Sequence, residues 1–419
     1  MKRTAGWILT LLLPLFSTAQ DLSLEQALQE AVVHYPQTKR KALIDQTAAL
    51  TVENLRRQYL PQLNLSAQAT YQSEVTAVKI PLPGVTITPP SKDQYKVLAD
   101  LNQLVYDGGA VKQQQTVQQL AAATEQQQLE VEYYKLKERV TQIYMGVLYL
   151  DEQLKTVALI ESDINTGIRK TEAQVQNGTA FRSQVLLLKA ELLKAGQRRT
   201  ELEETRKGWV EVLSLFTGLP LTPTTKLQLP AVGIGQDEAL QRPELQLFQA
   251  QQVLTQQQLE LLKSRNRPKA SVFVQGGYGR PGLNFLNNDF AFFYIGGLRL
   301  NWALSSFYTS KRDRMVIENN RKQIDAQQET FLLNTRSQLV QQTAEIRKLE
   351  KLLAADEEIL GLRSQVSAAV KAQLDNGVIT AADYLREINA EDQARQTLAA
   401  HRIQLLQARI NYSVTSGKF

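Results

Sequence analysis

From residue 62 the chain alternates in character. Leu63, Leu65, Ala67, Ala69 and Tyr71 are apolar, while Asn64, Ser66, Gln68, Thr70 and Gln72 are polar, the period of a strand with two unlike faces. Tyr95, Val97, Ala99 and Leu101 alternate with Lys96, Asp100 and Asn102 on the way back, with Leu98 as the exception. The pattern recurs later. Val272, Val274, Gly276 and Tyr278 alternate with Ser271, Gln275 and Gly277, and Phe292, Tyr294, Gly296, Leu298, Leu300 and Trp302 complete the series with Arg299 and Asn301 between them. Two hairpins, about 62–106 and 270–303, are therefore expected, with loops at 77–94 and 280–290. One chain would supply four strands.

Elsewhere the period changes to that of a helix. Leu136, Val140, Ile143, Val147, Leu150, Leu154, Val157, Ile164 and Ile168 follow alternating steps of four and three, interrupted by Glu161, which is a heptad seam. It stops at Asn177-Gly178, a helix-ending pair. Val185, Leu188, Leu192, Ala195, Leu202, Trp209, Leu213 and Phe216 then resume the spacing, with Arg199 and Arg206 in seam positions. The expectation is a long antiparallel helical hairpin. A helix from about Gly109 to Gln176 would extend roughly 100 Å. Leu339, Ile346, Leu349, Leu353, Leu360, Val370 and Leu374, then Asn376-Gly377, then Ala394, Leu398 and Leu405 repeat the arrangement.

The prolines explain why such lengths are possible. All 13 lie outside two tracts, 91–219 and 282–419, so nothing in those tracts breaks a helix at a missing amide. Prolines also expose a duplication. Pro36 and Pro61 share their spacing with Pro243 and Pro268, and Asn177-Gly178 corresponds to Asn376-Gly377. Leu101-Asn102 likewise corresponds to Leu300-Asn301. The offset shortens between residues 61 and 101, which places an insertion at the Pro-rich loop 79–90. Two repeats are expected, 20–216 and 237–419, joined by a linker at 217–236. A unit of this size is not a solenoid repeat.

Composition removes most chemistry. There is no cysteine, and two histidines, His34 and His401, stand alone, so thiol, iron–sulfur and ordinary zinc sites are absent. No clustered nucleophile or acid–base pair appears; no catalytic residue, cofactor site or metal site is expected. The formal charge of +6 is small for the length and scattered among acids, which argues against nucleic acid. Glutamine is abundant, with 48 residues. A wet, uncharged face of that kind suits a water-filled lumen or an exposed coiled coil equally.

Lys2 and Arg3, an apolar run from Trp7 to Phe16 and Ser17-Thr18-Ala19 read as a signal peptide over residues 1–19. No later apolar run is long enough for a membrane helix, so any membrane entry must use strands. A strand of about eleven residues at ~3.4 Å per residue, tilted about 45°, crosses the hydrocarbon layer. Tyr71, Tyr95, Tyr278, Tyr294 and Trp302 are then the candidate interface aromatics. A half-buried sheet on a soluble core would show the same alternation, but the neighbouring helices are too long to cover a compact sheet. Four strands leave two open edges in hydrocarbon, so the chain must oligomerise: two copies would make a barrel filled by side chains, three a barrel with room for a duct.

The signal peptide, the duplicated unit, Leu104-Val105-Tyr106-Asp107-Gly108-Gly109 after a strand, Arg242-Pro243-Glu244-Leu245 opening the second copy, and the two Asn-Gly breaks together resemble the TolC outer-membrane efflux family. The resemblance spans essentially the whole mature chain. It implies an α+β membrane protein: long coiled-coil hairpins forming a periplasmic α-barrel, and four strands per chain in a homotrimeric, twelve-stranded barrel in outer-membrane lipid. It implies a passive channel-tunnel, not an enzyme, working with a periplasmic adaptor and an inner-membrane transporter of resistance-nodulation-division (RND) or ABC type, for efflux or type I secretion. Asn177-Gly178-Thr179 and Asn376-Gly377-Val378 match the family's adaptor-docking tips; a plain turn without a partner is the alternative. Asp383 falls at one position of the family's acidic entrance ring, Arg386 replaces the second acid, and Asp375 could add charge. Leu374 and Ile379 stand where a tyrosine–arginine latch is expected, and Asp107-Gly108-Gly109 becomes Ser306-Phe307-Tyr308 in the second copy. A secreted coiled-coil scaffold or adhesin without a channel is the other reading of the same pattern.

Overall fold

The computed structural model describes residues 21–76, 89–231 and 239–418. The signal-peptide reading over 1–19, most of the Pro-rich loop and part of the linker lie outside them. The elements are α1 (Leu24–His34), α2 (Thr38–Arg56), β1 (Gln62–Tyr71), β2 (Asp93–Tyr106), α3 (Ala110–Gln176), α4 (Arg182–Thr217), α5 (Pro243–Arg265), β3 (Lys269–Arg280), β4 (Ala291–Asn301), α6 (Phe307–Asp375) and α7 (Ala381–Ser416). Both hairpins and both long helical hairpins stand where the periodicity puts them. The chain divides into two compact units, 1–38 with 132–242 and 333–419, and 39–131 with 243–332. Each unit draws on both copies of the duplicated sequence, because each copy contributes one hairpin to one unit and most of one helical pair to the other.

In the second unit the four strands form one antiparallel sheet in the order β1-β2-β3-β4. Register carries the two-faced pattern across all of them. Leu65 is opposite Ala99, Ala99 opposite Gly276, and Gly276 opposite Tyr294, so the apolar alternates share one continuous face. Among the described residues nothing covers that face. Leu65 is 78% exposed, Leu298 84% and Phe292 86%, values that no half-buried sheet on a core would show. The other face is mixed: Gln275 donates to the Asp100 carboxylate across the β2–β3 pair, Arg299 lies 4.5 Å over the Phe273 ring, and Lys96 lies 6.0 Å over Phe293.

The step from β2 into α3 is built by Asp107. Its carboxylate accepts from the amides of Gly109 at 2.8 Å and Val111 at 2.6 Å, satisfying donors that the first helical turn leaves open. Gly108 has φ +71°, and a Cβ there would lie 2.5 Å from Arg267 Cβ, so only glycine fits. The second copy, without this motif, enters α6 through a single 3-10 turn at Leu304–Ser306.

The first unit is held by the heptad seam. Val140, Val147, Val157 and Ile164 of α3 and Leu188 and Leu213 of α4 are fully buried. The seam's polar interruptions answer each other: Arg199 pairs with Glu161 at 3.2 Å, and Arg206, buried, pairs with Asp151 and donates to the carbonyls of Pro223 and Thr225, which ties the linker down. Trp209 departs from the seam expectation. It is 39% exposed because its ring covers Gly146, where a Cβ would collide with the indole. The two lone histidines are accounted for as packing and pairing groups: a Cβ on Gly218 would run into the His34 ring, and His401 Nδ1 lies 2.5 Å from Asp356 across α6 and α7.

Burial pushes the Asp392 carboxyl above the usual range, against the opposing influence of Arg198, and one of its oxygens is buried without a partner. A carboxyl raised in the fold holds a proton that the unfolded chain gives up, so its contribution favours the fold at low pH and turns against it as pH rises past the ordinary carboxylate value. Asp392→Asn is expected to raise the thermal midpoint at neutral pH, with the gain shrinking on acidification; a midpoint that drops at all pH values would contradict this. On the sheet, Leu298→Lys puts a charge on the uncovered apolar face, at a cost of roughly 2–4 kcal/mol if that face meets lipid, whereas Ser66→Lys on the opposite face is expected to be tolerated. Membrane-extracted, heat-modifiable protein measures both, and equal yields would contradict the orientation of the sheet.

Candidate functional site: helix tips and strand ends

Both helix-hairpin turns close by the same hydrogen-bond scheme. At the end of α3, Gly178 N donates to Val175 O at 3.1 Å and Thr179 N to Gln174 O at 2.9 Å. At the end of α6, Gly377 N donates to Leu374 O at 3.1 Å and Val378 N to Gln373 O at 2.9 Å. Each is a Schellman turn, which requires a left-handed residue at the first position past the cap. Gly178 has φ +75° and Gly377 φ +67°, and a Cβ at either would meet open space. The two Asn-Gly-x tips are thus conformationally equivalent, as the duplication demands.

They differ in the helix starts beyond the turns. Thr380 begins α7 with a full capping box: its hydroxyl accepts from Asp383 N at 3.2 Å and donates to Asp383 Oδ2 at 2.7 Å, and that oxygen also accepts from Thr380 N at 3.3 Å. Phe181, which begins α4, supplies no capping side chain and stands 77% exposed. The hydroxyl of Thr380 holds the Asp383 carboxyl below the usual range. Arg386 lies 3.5 Å from Asp383 and 3.2 Å from Glu387.

The remaining entrance candidate is tied to another helix. Asp375 pairs with Lys170 of α3 at 2.6 Å, and one turn away Lys371 pairs with Asp163 at 2.7 Å. Tyr384 of α7 donates its hydroxyl to the Asp163 carbonyl at 3.0 Å and packs over Gly167, where a Cβ would come within 2.6 Å of the ring. Lys170, Lys371, Asp163 and Tyr384 carry this cross-helix set, and the sequence pattern does not single them out. Their signal is tertiary: nothing in the local pattern of α3 names a partner two hundred residues away.

The five candidate interface aromatics fall at two levels of the sheet. Tyr71, Tyr95, Tyr278 and Tyr294 lie toward the hairpin ends, where Tyr278 stacks on Phe290 with centroids 5.6 Å apart and packs against Phe292 at 4.6 Å, and Arg280 pairs with Asp93 beside Tyr95. Trp302 lies at the opposite end, its indole donating to Asn266 O at 2.9 Å and its ring 6.4 Å from Phe307. Among the described residues there is no group of acids and histidines able to hold a metal ion, and no helix is long and apolar enough to cross a membrane.

Comparisons with known proteins agree with this geometry. Residues 25–218 match the outer membrane efflux protein family. Among solved structures, the outer membrane protein VceC of Vibrio cholerae superposes with a TM-score of 0.68 at 15% identity, covering 94% of this chain and 97% of its own. The CmeC outer membrane channel of Campylobacter jejuni gives 0.66 at 13% identity, covering 96% and 87%. The MtrE outer membrane channel of Neisseria gonorrhoeae gives 0.67 at 14%, covering 94% and 89%. At such identities the structural likeness establishes the fold. No curated protein sequence matches.

Proposed function

We propose that this chain, a member of the outer membrane efflux protein family and so a non-enzymatic channel component of the outer membrane, closes a twelve-stranded barrel as a homotrimer and gives passive exit to cargo. The energy comes from an inner-membrane transporter of the RND or ABC type, reached through a periplasmic adaptor that docks on the helix tips. The observation that carries this reading is the four-stranded sheet which, among the described residues, has one continuous uncovered apolar face and two unpaired edges, β1 and β4. In hydrocarbon an open edge has no water to satisfy it, so the edges must find each other in neighbouring copies.

A soluble scaffold is the weaker reading, since it would leave Leu65, Phe292, Tyr294 and Leu298 in water with nothing among the described residues to cover them. The tips suit docking because their turns are closed internally by backbone hydrogen bonds, leaving Thr179, Phe181 and Val378 presented outward. Asp383 acts first as the capping residue of α7, and its charge is shared with Arg386; a strong acidic ring at the entrance is therefore not part of this proposal.

The tips give the test. Replacing Gly178 and Gly377 together by valine forces a side chain onto a left-handed backbone, a local strain of roughly 1 kcal/mol or more at each turn, without a steric clash inside the chain. The expected result is loss of efflux, read as drug susceptibility of a strain that relies on this duct, with the detergent-extracted trimer intact. Unchanged susceptibility alongside a normal trimer would overturn the docking role.

A further inference from the structure

The chain's positive charge is concentrated in one place. Segments 263–269 and 311–322 hold nine Lys and Arg against two acids, Asp313 and Glu318, an excess larger than the +6 of the whole chain. These segments are the end of α5 with the lead into β3, and the first turns of α6. They adjoin the end of the sheet that carries Trp302, opposite the hairpin loops. Asn266 Nδ2 donates to Ser310 Oγ at 2.8 Å, which holds the two basic segments side by side.

The phase of α6 says which way the charge faces. Phe307, Lys311, Arg314, Glu318 and Arg321 recur at steps of three and four and so lie along one stripe. Phe307 heads that stripe and touches Trp302, which continues the uncovered apolar face of β4. The stripe therefore descends from the lipid-facing side of the sheet, not from its mixed face. Tyr308, 83% exposed, stands beside it with Arg312 one turn on. A groove of about 290 Å³ between α5 and α6 is lined in part by Lys263, Arg314, Glu318, Arg321 and Lys322. Glu260 engages Lys263 and Glu318 engages Arg314. Arg265, Lys269, Lys311, Arg312, Arg321 and Lys322 are all exposed.

We propose that this basic stripe binds the phosphate headgroups of anionic phospholipids in the membrane leaflet nearest the helices. The inference rests on the membrane-spanning reading of the sheet. An apolar face ending in a tryptophan–phenylalanine pair marks the depth at which headgroups begin. Long basic side chains just beyond that depth run their stems along the apolar boundary and keep their charges among the phosphates. Among the described residues, acids pair with two of the nine bases, so the stripe keeps a net field over a Debye length of about 10 Å at 0.1 M salt. Each such charge is worth roughly a fivefold change in lipid partitioning.

The test uses the full protein reconstituted in phosphatidylcholine vesicles with and without phosphatidylglycerol, and native mass spectrometry of the lipid retained on the extracted protein. Phosphatidylglycerol is expected to be retained over phosphatidylcholine by about tenfold or more, a preference that falls at high salt. The variant with Lys311→Gln, Arg312→Gln, Arg321→Gln and Lys322→Gln is expected to lose most of it, while Lys311→Arg with Lys322→Arg keeps it. Equal retention of the two lipids, or a preference that survives the glutamine variant, would overturn the proposal. So would a glutamine variant that changes single-channel ion selectivity and leaves the lipid preference intact, which would put these charges in the lumen. Failure to insert into either vesicle would instead count against the membrane-spanning sheet itself.

Discussion

The structure depends on what happens to the free backbone edges of β1 and β4. Within the sheet, β2 and β3 each have a strand on both sides; among the described residues the outer edges of β1 and β4 have no partner strand. Such edges are tolerable in water, but the face they belong to is apolar from Leu63 to Leu300, and against lipid no water would be there to satisfy them. A chain that puts this sheet into hydrocarbon is incomplete alone. Closure by further copies would satisfy the backbone, and would account for an even number of strands supplied as two hairpins by one duplicated unit.

The helical part answers a different constraint, length without a globular core. Two proline-free tracts allow α3 and α6 to run 67 and 69 residues, and helices of that length owe their stability to continuous side-chain seams, propensity alone being too weak. The α3–α4 seam is apolar for most of its course, and where it is polar the polar groups are matched across it, Arg199 to Glu161 and Arg206 to Asp151. Toward the tips the apolar seam is supplemented by the Lys170–Asp375 and Lys371–Asp163 pairs and by Tyr384 over Gly167. The pairs are partly exposed and salt-screened, each contributing little to stability; they fix the register of α3 against α6 close to the turns.

Much of this architecture is legible in the residues because the relevant signals are periodic and local. The strand bounds come from period-two alternation in which both faces are distinctive, and the helix ends come from Asn-Gly pairs whose left-handed glycines are required by the turn. Partnership is what a linear pattern hides. Thr380-x-x-Asp383 is a capping-box pattern readable in principle, yet family resemblance draws Asp383 toward the entrance, and only the folded chain shows its carboxylate committed to the helix start. Trp209 fits the heptad spacing but covers Gly146 from a partly exposed position, a consequence of the small residue opposite it. The way each spatial unit takes elements from both repeats is likewise invisible to a linear reading, since it depends on long helices carrying the chain from one unit to the other.

Edge closure between copies is the central claim, and the cysteine-free chain lends itself to testing it. Single cysteines placed along the outer edge of β1 and of β4, combined in pairs at successive registers and oxidised in the membrane, measure directly which strands meet. Closure predicts that one narrow set of registers yields disulfide-linked oligomers up to a trimer, released to monomer by reductant. Monomer at every register, in protein that has reached the membrane, would contradict it.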